Sequence, residues 1–201
     1  MTDKLARAEL ARAAAALNAR SGSALPALVL MTDDERLADP AAAARALPSG
    51  SMVVLRSRQD SRRAELAPEL RAITRAGGGK LLIANDAGLA ARVGADGLHL
   101  SEVRALEASH WREQHPSWII TAAAHSPAAT HVPAVDAVFV GPVFETPSHP
   151  GAAALGAAQL DLIARQSSAP VYALGGITAD NAHQISDAKL IGLAAIGALA
   201  V

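Results

Sequence analysis

Short apolar runs rich in Val, Leu and Ile recur along the chain, and they constrain its fold more than any other feature. The segments between them are rich in Ala, Leu and Arg at helical spacing, which is the alternation of βα units in a parallel sheet. Eight such units predict a single closed (β/α)8 barrel, an α/β fold of the TIM-barrel type, rather than an open doubly wound sheet. The runs are ALVLMT (27–32), MVVLR (52–56), KLLIA (80–84), GLHL (97–100), WIITA (118–122), AVFVG (137–141), PVYAL (170–174) and LIGLAA (190–195).

The segment before the first run predicts an extra helix. It contains strong helix formers, an Ala/Leu stripe and a Ser-Gly stop. We therefore expect an N-terminal helical extension over residues 1–24 and a barrel domain over residues 25–201. Further helix boundaries are predicted where turn and capping residues stand: starts at Asp39-Pro40, Ser126-Pro127 and Thr178, and an end at Gly77-Gly78-Gly79.

Composition narrows the classes of function. The chain has 201 residues, of which 51% are hydrophobic and 2% aromatic, so small aliphatic residues must fill one core. It has no cysteine, which excludes disulfides and cysteine zinc sites and is typical of a reducing cytoplasm. The formal net charge is −1 and the charges are scattered, which argues against nucleic-acid and membrane partners. We expect neither a signal peptide nor an anchor, and a cytoplasmic location.

Two glycine-containing segments predict a phosphate site. Gly175-Gly176-Ile177-Thr178 follows the seventh run and is expected to open a helix, where freed backbone N–H groups can face an anion. The alternative is a tight turn that needs glycine for its positive φ. Ile196-Gly197-Ala198 follows the eighth run, and barrel phosphate sites are shared between these two loops. A bulky residue at position 176 should then weaken phosphate binding with little change in fold.

Charged residues end the second and third runs. Arg56 and Arg58 alternate, which predicts that both side chains point to one side, where they could clamp a phosphate or diphosphate. Their alternative is a solvated strand end. Asp86 follows Asn85 and would be explained as a helix N-cap; as a carboxylate on the ligand face it could instead hold a magnesium ion that bridges to phosphate.

Different roles are expected for the histidines. His125 follows the fifth run at the C-terminal rim, where an imidazole can orient substrate or transfer a proton; the alternative is a helix-start histidine bonded to backbone. His99 lies inside the fourth run and is expected to be hydrogen-bonded in the barrel or at a strand end. No metal-ligand spacing joins His125 to the later histidines, so we predict no zinc site; these are His131, His149 and His183.

One connection differs from the others. Residues 142–156 read PVFETPSHPGAAALG, which is too rich in Pro and Gly for regular structure and longer than a βα turn requires. In a barrel this loop lies on the C-terminal face, where active sites are built.

Taken in order, LRSR, LIANDAGLAARVGADGLHL, AAAHS, DAVFVGPVFETPSHPG and PVYALGGIT resemble the thiamine phosphate synthase and TenI family from about residue 27 onwards. The resemblance implies a TIM barrel that binds the thiazole phosphate of thiamin biosynthesis. In the synthase branch a pyrimidine diphosphate is coupled to it with release of pyrophosphate, and TenI relatives resemble thiazole tautomerases. A homodimer is a further expectation from the resemblance.

The resemblance matches residues of this chain to the diphosphate half of the family's site. Arg56 matches the Arg of the second-strand motif, Arg58 stands where that motif has Lys, and Asn85 and Asp86 match the Asn-Asp pair. In the family the synthase reaction is thought to be dissociative. Magnesium and basic groups stabilise the departing pyrophosphate, and the thiazole nitrogen captures the pyrimidine cation.

The thiazole half carries over as well. Gly176 and Ile196-Gly197 match the phosphate cradle, Thr146 matches a polar residue of the 142–156 loop, and His125 matches the His of the fifth-strand motif. The catalytic set implied by both halves is therefore His125, Arg56 and Arg58.

Three positions depart from the synthase pattern. Arg104 stands at the second magnesium carboxylate with only Glu102 nearby, Ala123 replaces a Ser, and His149 replaces the Lys of the loop. These changes weaken the diphosphate half and put the magnesium ion in doubt. The synthase is our main hypothesis. A thiazole tautomerase, in which His125 moves a proton without a metal, and a catalytically degenerate phosphate-binding paralogue stay open.

Overall fold

The computed structural model describes residues 3–146 and 154–201. Its eight strands are parallel and close into a barrel in sequence order, with the first strand paired to the eighth. The predicted (β/α)8 fold is confirmed, and each strand overlaps its predicted run. The strands are β1 (Leu28–Met31), β2 (Met52–Leu55), β3 (Lys80–Ala84), β4 (Gly97–Leu100), β5 (Ile119–Ala124), β6 (Ala137–Val140), β7 (Val171–Leu174) and β8 (Gly192–Ala195).

The helices of the described residues form the outer layer. They are α1 (Asp3–Ser21), α2 (Pro40–Arg45), α3 (Asp60–Ala76), α4 (Ala87–Val93), α5 (Ala108–Gln114) and α6 (Gly156–Gln166), with 3₁₀ turns at Glu102–Glu107, Ala128–Thr130, Ala182–Ile185 and Gly197–Leu199. The start at Asp39-Pro40 is confirmed, because the Asp39 carboxylate accepts the Ala42 N–H at 2.8 Å. The end of α3 at Gly77 is confirmed as well. In the part of the chain that is described, no helix is long and apolar enough to cross a membrane.

Two predicted helices are wrong and are replaced by 3₁₀ turns. After Ser126-Pro127 the turn ends at Thr130, and Pro133 cannot continue a helix because it lacks an N–H donor. After Thr178 the Asn181 side chain bonds back to the backbone of the preceding loop. Its Oδ1 accepts the Thr178 N–H and its Nδ2 donates to the Gly176 carbonyl, both at 2.8 Å. These side-chain bonds compete with the backbone bonds of a helix.

The extra N-terminal helix is confirmed and packs against β8 and β1. Leu10, Ala14 and Leu17 are buried in its interface with the barrel, at the spacing of one helix face. The Asn18 side chain donates to the backbone carbonyls of Leu25 and Ile191, each at 2.9 Å. These bonds tie the end of the helix to the segments just before β1 and β8. The division of the chain at residues 24 and 25 stays a prediction.

Large side chains fill the inside of the barrel. Phe139 stacks on Tyr172 with ring centroids 4.8 Å apart, and His99 meets Phe139 edge-on at 5.0 Å. The predicted interior position of His99 is confirmed: it is buried, and its Nδ1 lies 2.9 Å from the Thr121 hydroxyl. These rings close the barrel below its C-terminal mouth.

Candidate active site at the mouth of the barrel

A cavity of about 1000 Å³ opens where the strands end. Residues that directly follow β2 to β8 form its wall, because all eight parallel strands run toward this rim. It brings together nearly all the residues that the sequence predicts for the site: His125, Arg56, Arg58, Asn85, Thr146, Gly175, Gly176, Ile196 and Gly197. Asp86 does not line it, and His149 lies outside the described residues.

The loops after β7 and β8 offer backbone donors. Within the described ranges, no acceptor meets the backbone N–H of five lining residues, namely Gly175, Gly176, Ile177, Gly197 and Ala198. Both glycines of the first loop have positive φ, 96° at Gly175 and 68° at Gly176. Several N–H groups left without acceptors at one cavity wall can bind an anion.

Two expectations for this segment need correction. Because the chain after Thr178 forms a 3₁₀ turn, the donors are loop amides and not the N-terminus of an α-helix. A bulky residue at Gly176 would also disturb the fold, since a Cβ there would lie 2.5 Å from the Phe144 carbonyl oxygen and 2.6 Å from that of Glu145. Neither backbone oxygen can be displaced without moving the loop.

The arginine side of the cavity is organised by Asp33, which follows β1. Its carboxylate accepts two bonds from Arg36, at 3.1 and 2.8 Å, and one from Arg56 Nη1 at 3.0 Å. The hydrogen bond from Arg36 holds the pKa of Asp33 well below its ordinary range. Arg56 is thereby anchored, whereas Arg58 is 83% exposed and lies 4.0 Å from Glu35. Both line the cavity, but only Arg56 has a fixed position.

Asn85 joins the ends of β3 and β4. Its φ of 56° is left-handed, a conformation that Asn tolerates, and its Oδ1 accepts the Ser101 N–H at 2.9 Å. The next residue, Asp86, acts as the N-cap of α4, with the Leu89 N–H donating to Oδ1 at 2.8 Å. The N-cap interpretation of Asp86 therefore accounts for one carboxylate oxygen.

The side chains around Asp86 do not fit a magnesium ion. The second Asp86 oxygen lies 3.3 Å from Arg63 Nη2. Arg104, at the family's second carboxylate position, pairs with Glu107 through two bonds at 2.8 and 2.7 Å and donates to the Asn85 carbonyl at 2.6 Å. Among the described residues no three His, Asp or Glu side chains are grouped as metal ligands. Two guanidinium groups therefore stand where oxygen ligands are needed.

His125 is paired with Glu102. Oε2 of Glu102 accepts the His125 backbone N–H at 2.6 Å and lies 2.8 Å from the imidazole Nδ1. Because a carboxylate oxygen accepts, Nδ1 carries the proton of this bond, and in the neutral imidazole Nε2 is then the acceptor. Both side chains line the cavity. His125 thus lies on the rim, as the sequence predicts, and its bonding partner is the Glu102 carboxylate and not the backbone.

Sequence reasoning missed several lining or supporting residues. Asp33 and Arg36 had a detectable signal, since the cluster DDER directly follows the first apolar run. Arg63 had none: it lies on α3, and only the fold brings it to the cavity wall beside Asp86. The pairing of Glu102 with His125 also joins residues that are distant in sequence.

The described residues form a (β/α)8 barrel that gathers arginines, a carboxylate-bound imidazole and unpaired amides in one cavity at the strand ends, which is where proteins of the TIM-barrel class build their active sites. The chain belongs to the TMP-TENI family, described as thiamine monophosphate synthase, whose model matches residues 28–199. The family resemblance seen in the sequence is confirmed.

Individual relatives and a solved structure agree with this family assignment. A thiamine-phosphate synthase of Nostoc sp. is 35% identical over 129 residues, which cover 63% of this chain and 37% of that protein. One from Thiobacillus denitrificans is 34% identical over 137 residues, covering 66% of this chain and 65% of that protein. The chain thus spans less than two thirds of the length of these relatives. A thiamine phosphate pyrophosphorylase structure from Pyrococcus furiosus superposes with a TM-score of 0.65, at 25% identity over 84% of each chain.

Proposed function

We propose that this chain is a thiamine phosphate synthase, which couples a pyrimidine diphosphate to thiazole phosphate and releases pyrophosphate. The observation that carries the proposal is that one cavity is lined both by unpaired loop amides and by arginines. Gly175, Gly176, Ile196 and Gly197 would hold the thiazole phosphate, with Thr146 at the loop side of the cavity. The names of the relatives support this choice.

In the proposed reaction the bond from the pyrimidine-bearing carbon to the diphosphate oxygen breaks first. Pyrophosphate leaves with the electron pair, and the thiazole nitrogen donates its lone pair to the resulting cation. Arg56 and Arg58 would stabilise the charge that develops on the leaving group, which is electrostatic catalysis. Asp33 already fixes Arg56, so this guanidinium needs little reorganisation when the diphosphate binds. Asn85 would contribute its amide at the same wall.

The pairing of His125 with Glu102 favours a second candidate, a thiazole tautomerase. Nε2 of His125 would take a proton from one position of the thiazole ring and return it to another, so that no atom is gained or lost. Glu102 would stabilise the imidazolium that forms in between. This reaction needs the thiazole phosphate half of the cavity alone, which contains few departures from the family pattern.

Turnover of both reactions by three proteins tests the proposal: the parent, Arg58→Ala and His125→Ala. A synthase forms thiamine phosphate, and Arg58→Ala damages this coupling more than His125→Ala does. A tautomerase converts thiazole carboxylate phosphate, and His125→Ala removes that activity. A folded parent without either activity that still binds thiazole phosphate would instead support the degenerate paralogue.

The proposal includes two properties of the whole protein. As a biosynthetic enzyme of small phosphorylated molecules it would act in the cytoplasm, and it would associate as a homodimer through its outer helices. Cell fractionation tests the first property. Light scattering on the purified protein tests the second, and a monomeric mass would contradict it.

A further inference from the structure

Arg63 holds the carboxylate that the family resemblance assigns to magnesium. Its Nη2 lies 3.3 Å from Asp86 Oδ2 and 2.7 Å from Asp60 Oδ1, and its Nη1 donates to the Ser57 carbonyl at 2.8 Å. Only 14% of the Arg63 side chain is exposed. Three anchors, Asp60 on α3, Asp86 just before α4 and Ser57 in the loop after β2, thus fix one guanidinium at the cavity wall.

One donor of this guanidinium is not used by the protein. Nε of Arg63 is buried and has no hydrogen-bond partner in the described residues. A buried N–H without an acceptor is rare, since its desolvation is not offset. The contacts on Nη1 and Nη2 use three of the five N–H groups of this guanidinium, so Arg63 keeps donor capacity at the cavity wall.

The surroundings of Asp86 repel a divalent cation further. Arg104 lies close enough for the charge of Asp86 to help raise the Arg104 pKa, although its bonds to Glu107 are the main cause. The charged residues that line the cavity are mainly basic: Arg36, Arg56, Arg58 and Arg63, with Glu102 and Glu145 as the acids. Glu102 is itself bound to His125. The carboxylates that pair with Arg36, Arg56 and Arg63 do not line the cavity, so an anion that enters it meets the guanidinium groups.

We propose that Arg63 takes the place of a divalent cation at Asp86, so that the diphosphate half of the cavity binds its anion through arginines alone. This inference rests on the proposed synthase function and specifies how its leaving group is held. Asp86 then serves to position Arg63 and to cap α4, and it is not a metal ligand. Arg63 becomes an anion-binding residue that the sequence did not reveal.

Calorimetry of the full chain with inorganic pyrophosphate tests the inference directly. We expect saturable binding in EDTA that excess magnesium does not tighten, and no saturable binding of magnesium alone. Pyrophosphate binding that appears only with magnesium would overturn the inference and leave the synthase proposal standing. Absence of binding under both conditions would overturn both, while binding of thiazole phosphate to the same sample shows that the protein is intact.

Asp86→Asn separates the two roles of the carboxylate by the sign of its effect. Asn still caps a helix, so α4 should form normally. If Asp86 pairs with Arg63 and not with a metal ion, the variant removes a negative charge beside the guanidinium while Asp60 and the Ser57 carbonyl still hold Arg63, so pyrophosphate binds more tightly in EDTA. If Asp86 were a magnesium ligand, the variant would bind pyrophosphate more weakly in magnesium, which would contradict the inference.

Arg63→Ala provides the complementary test. We expect pyrophosphate affinity in EDTA to fall about tenfold or more, as for loss of a charge-assisted bond, and magnesium to restore part of it because Asp86 is now uncovered. Arg75→Ala is the matched control: it removes the same charge from the other end of α3, and it should change nothing. A folded Arg63→Ala protein with the parent's affinity in EDTA would refute the role of Arg63.

Discussion

The carboxylate of Glu102 accepts two hydrogen bonds from His125, from its backbone N–H at 2.6 Å and from its imidazole Nδ1 at 2.8 Å. One side chain thus fixes both the position of the residue and the orientation of its ring. The unbound Nε2 is the atom that such an arrangement prepares for proton transfer.

If the tautomerase reaction takes place, His125→Ala should lower its turnover by about 10² to 10⁴, because the proton carrier is lost. Affinity for thiazole phosphate should stay close to the parent's. Glu102→Gln should cause a smaller loss, since the bonds can persist while the charge that stabilises the imidazolium is gone. His183→Ala, an exposed histidine outside the cavity, is the control. Equal tautomerase turnover of parent and His125→Ala would exclude His125 as the proton carrier.

Gly176→Ala and Gly197→Leu should separate stability from binding. The first introduces a Cβ against two backbone oxygens at positive φ, so the melting temperature should fall clearly, with a strain of about 1–3 kcal/mol as a lower bound. At Gly197 an added Cβ meets no atom within 4 Å, so the fold should persist while the new side chain obstructs the cradle. Thermal unfolding and calorimetry with thiazole phosphate measure the two effects. A Gly197→Leu protein that binds like the parent would place the phosphate elsewhere.

His99 should make stability depend on pH. Burial, with a smaller contribution from the charge of Arg56, lowers the pKa of His99 from 6.5 to about 4. The folded state therefore resists protonation of His99 more than the unfolded state does. The contribution of neutral His99 to the free energy of unfolding is fully present above pH 6.5 and is lost as the pH falls toward 4. Urea unfolding at pH 7 and pH 5 measures it. His99→Gln should show a smaller loss between these values, and an equal loss would contradict the assignment.

Asp33 should contribute to the free energy of unfolding in a lower pH range than His99. Its pKa lies well below the ordinary 3.8, mainly through its bond with Arg36, so its stabilisation is present above pH 3.8 and is lost as the pH falls further. Asp33→Asn should therefore lower the free energy of unfolding at neutral pH, and the difference from the parent should shrink only in strong acid. A constant difference across both ranges would show that the charge is not the cause.

The barrel was predictable because its signal is local. Continuous apolar runs are what strands buried on both faces require, and β3 and β4 have the bounds that the sequence predicts. The helices expected after Ser126-Pro127 and Thr178 were not predictable from their start signals, since Pro133 and the Asn181 side chain decide the outcome further along the chain.

The candidate site was predictable only where its residues end strands. Arg56 and His125 directly follow β2 and β5, so topology alone carries them to the mouth of the barrel. Arg63 comes from a helix, and its contact with Asp86 depends on how α3 and α4 pack. Pairwise packing of this kind leaves no periodic or motif signal in a single sequence.

We propose that one cavity unites a thiazole phosphate cradle with an arginine wall that supports loss of pyrophosphate. The most direct test of this proposal is the rate of thiamine phosphate formation from thiazole phosphate and the pyrimidine diphosphate by the parent, Arg56→Ala and Arg75→Ala. We expect product from the parent and from Arg75→Ala, and a rate lower by about 10² or more for Arg56→Ala, which loses the anchored guanidinium beside the leaving group. A folded parent that binds both substrates but forms no thiamine phosphate, or an Arg56→Ala protein as fast as the parent, would contradict the account.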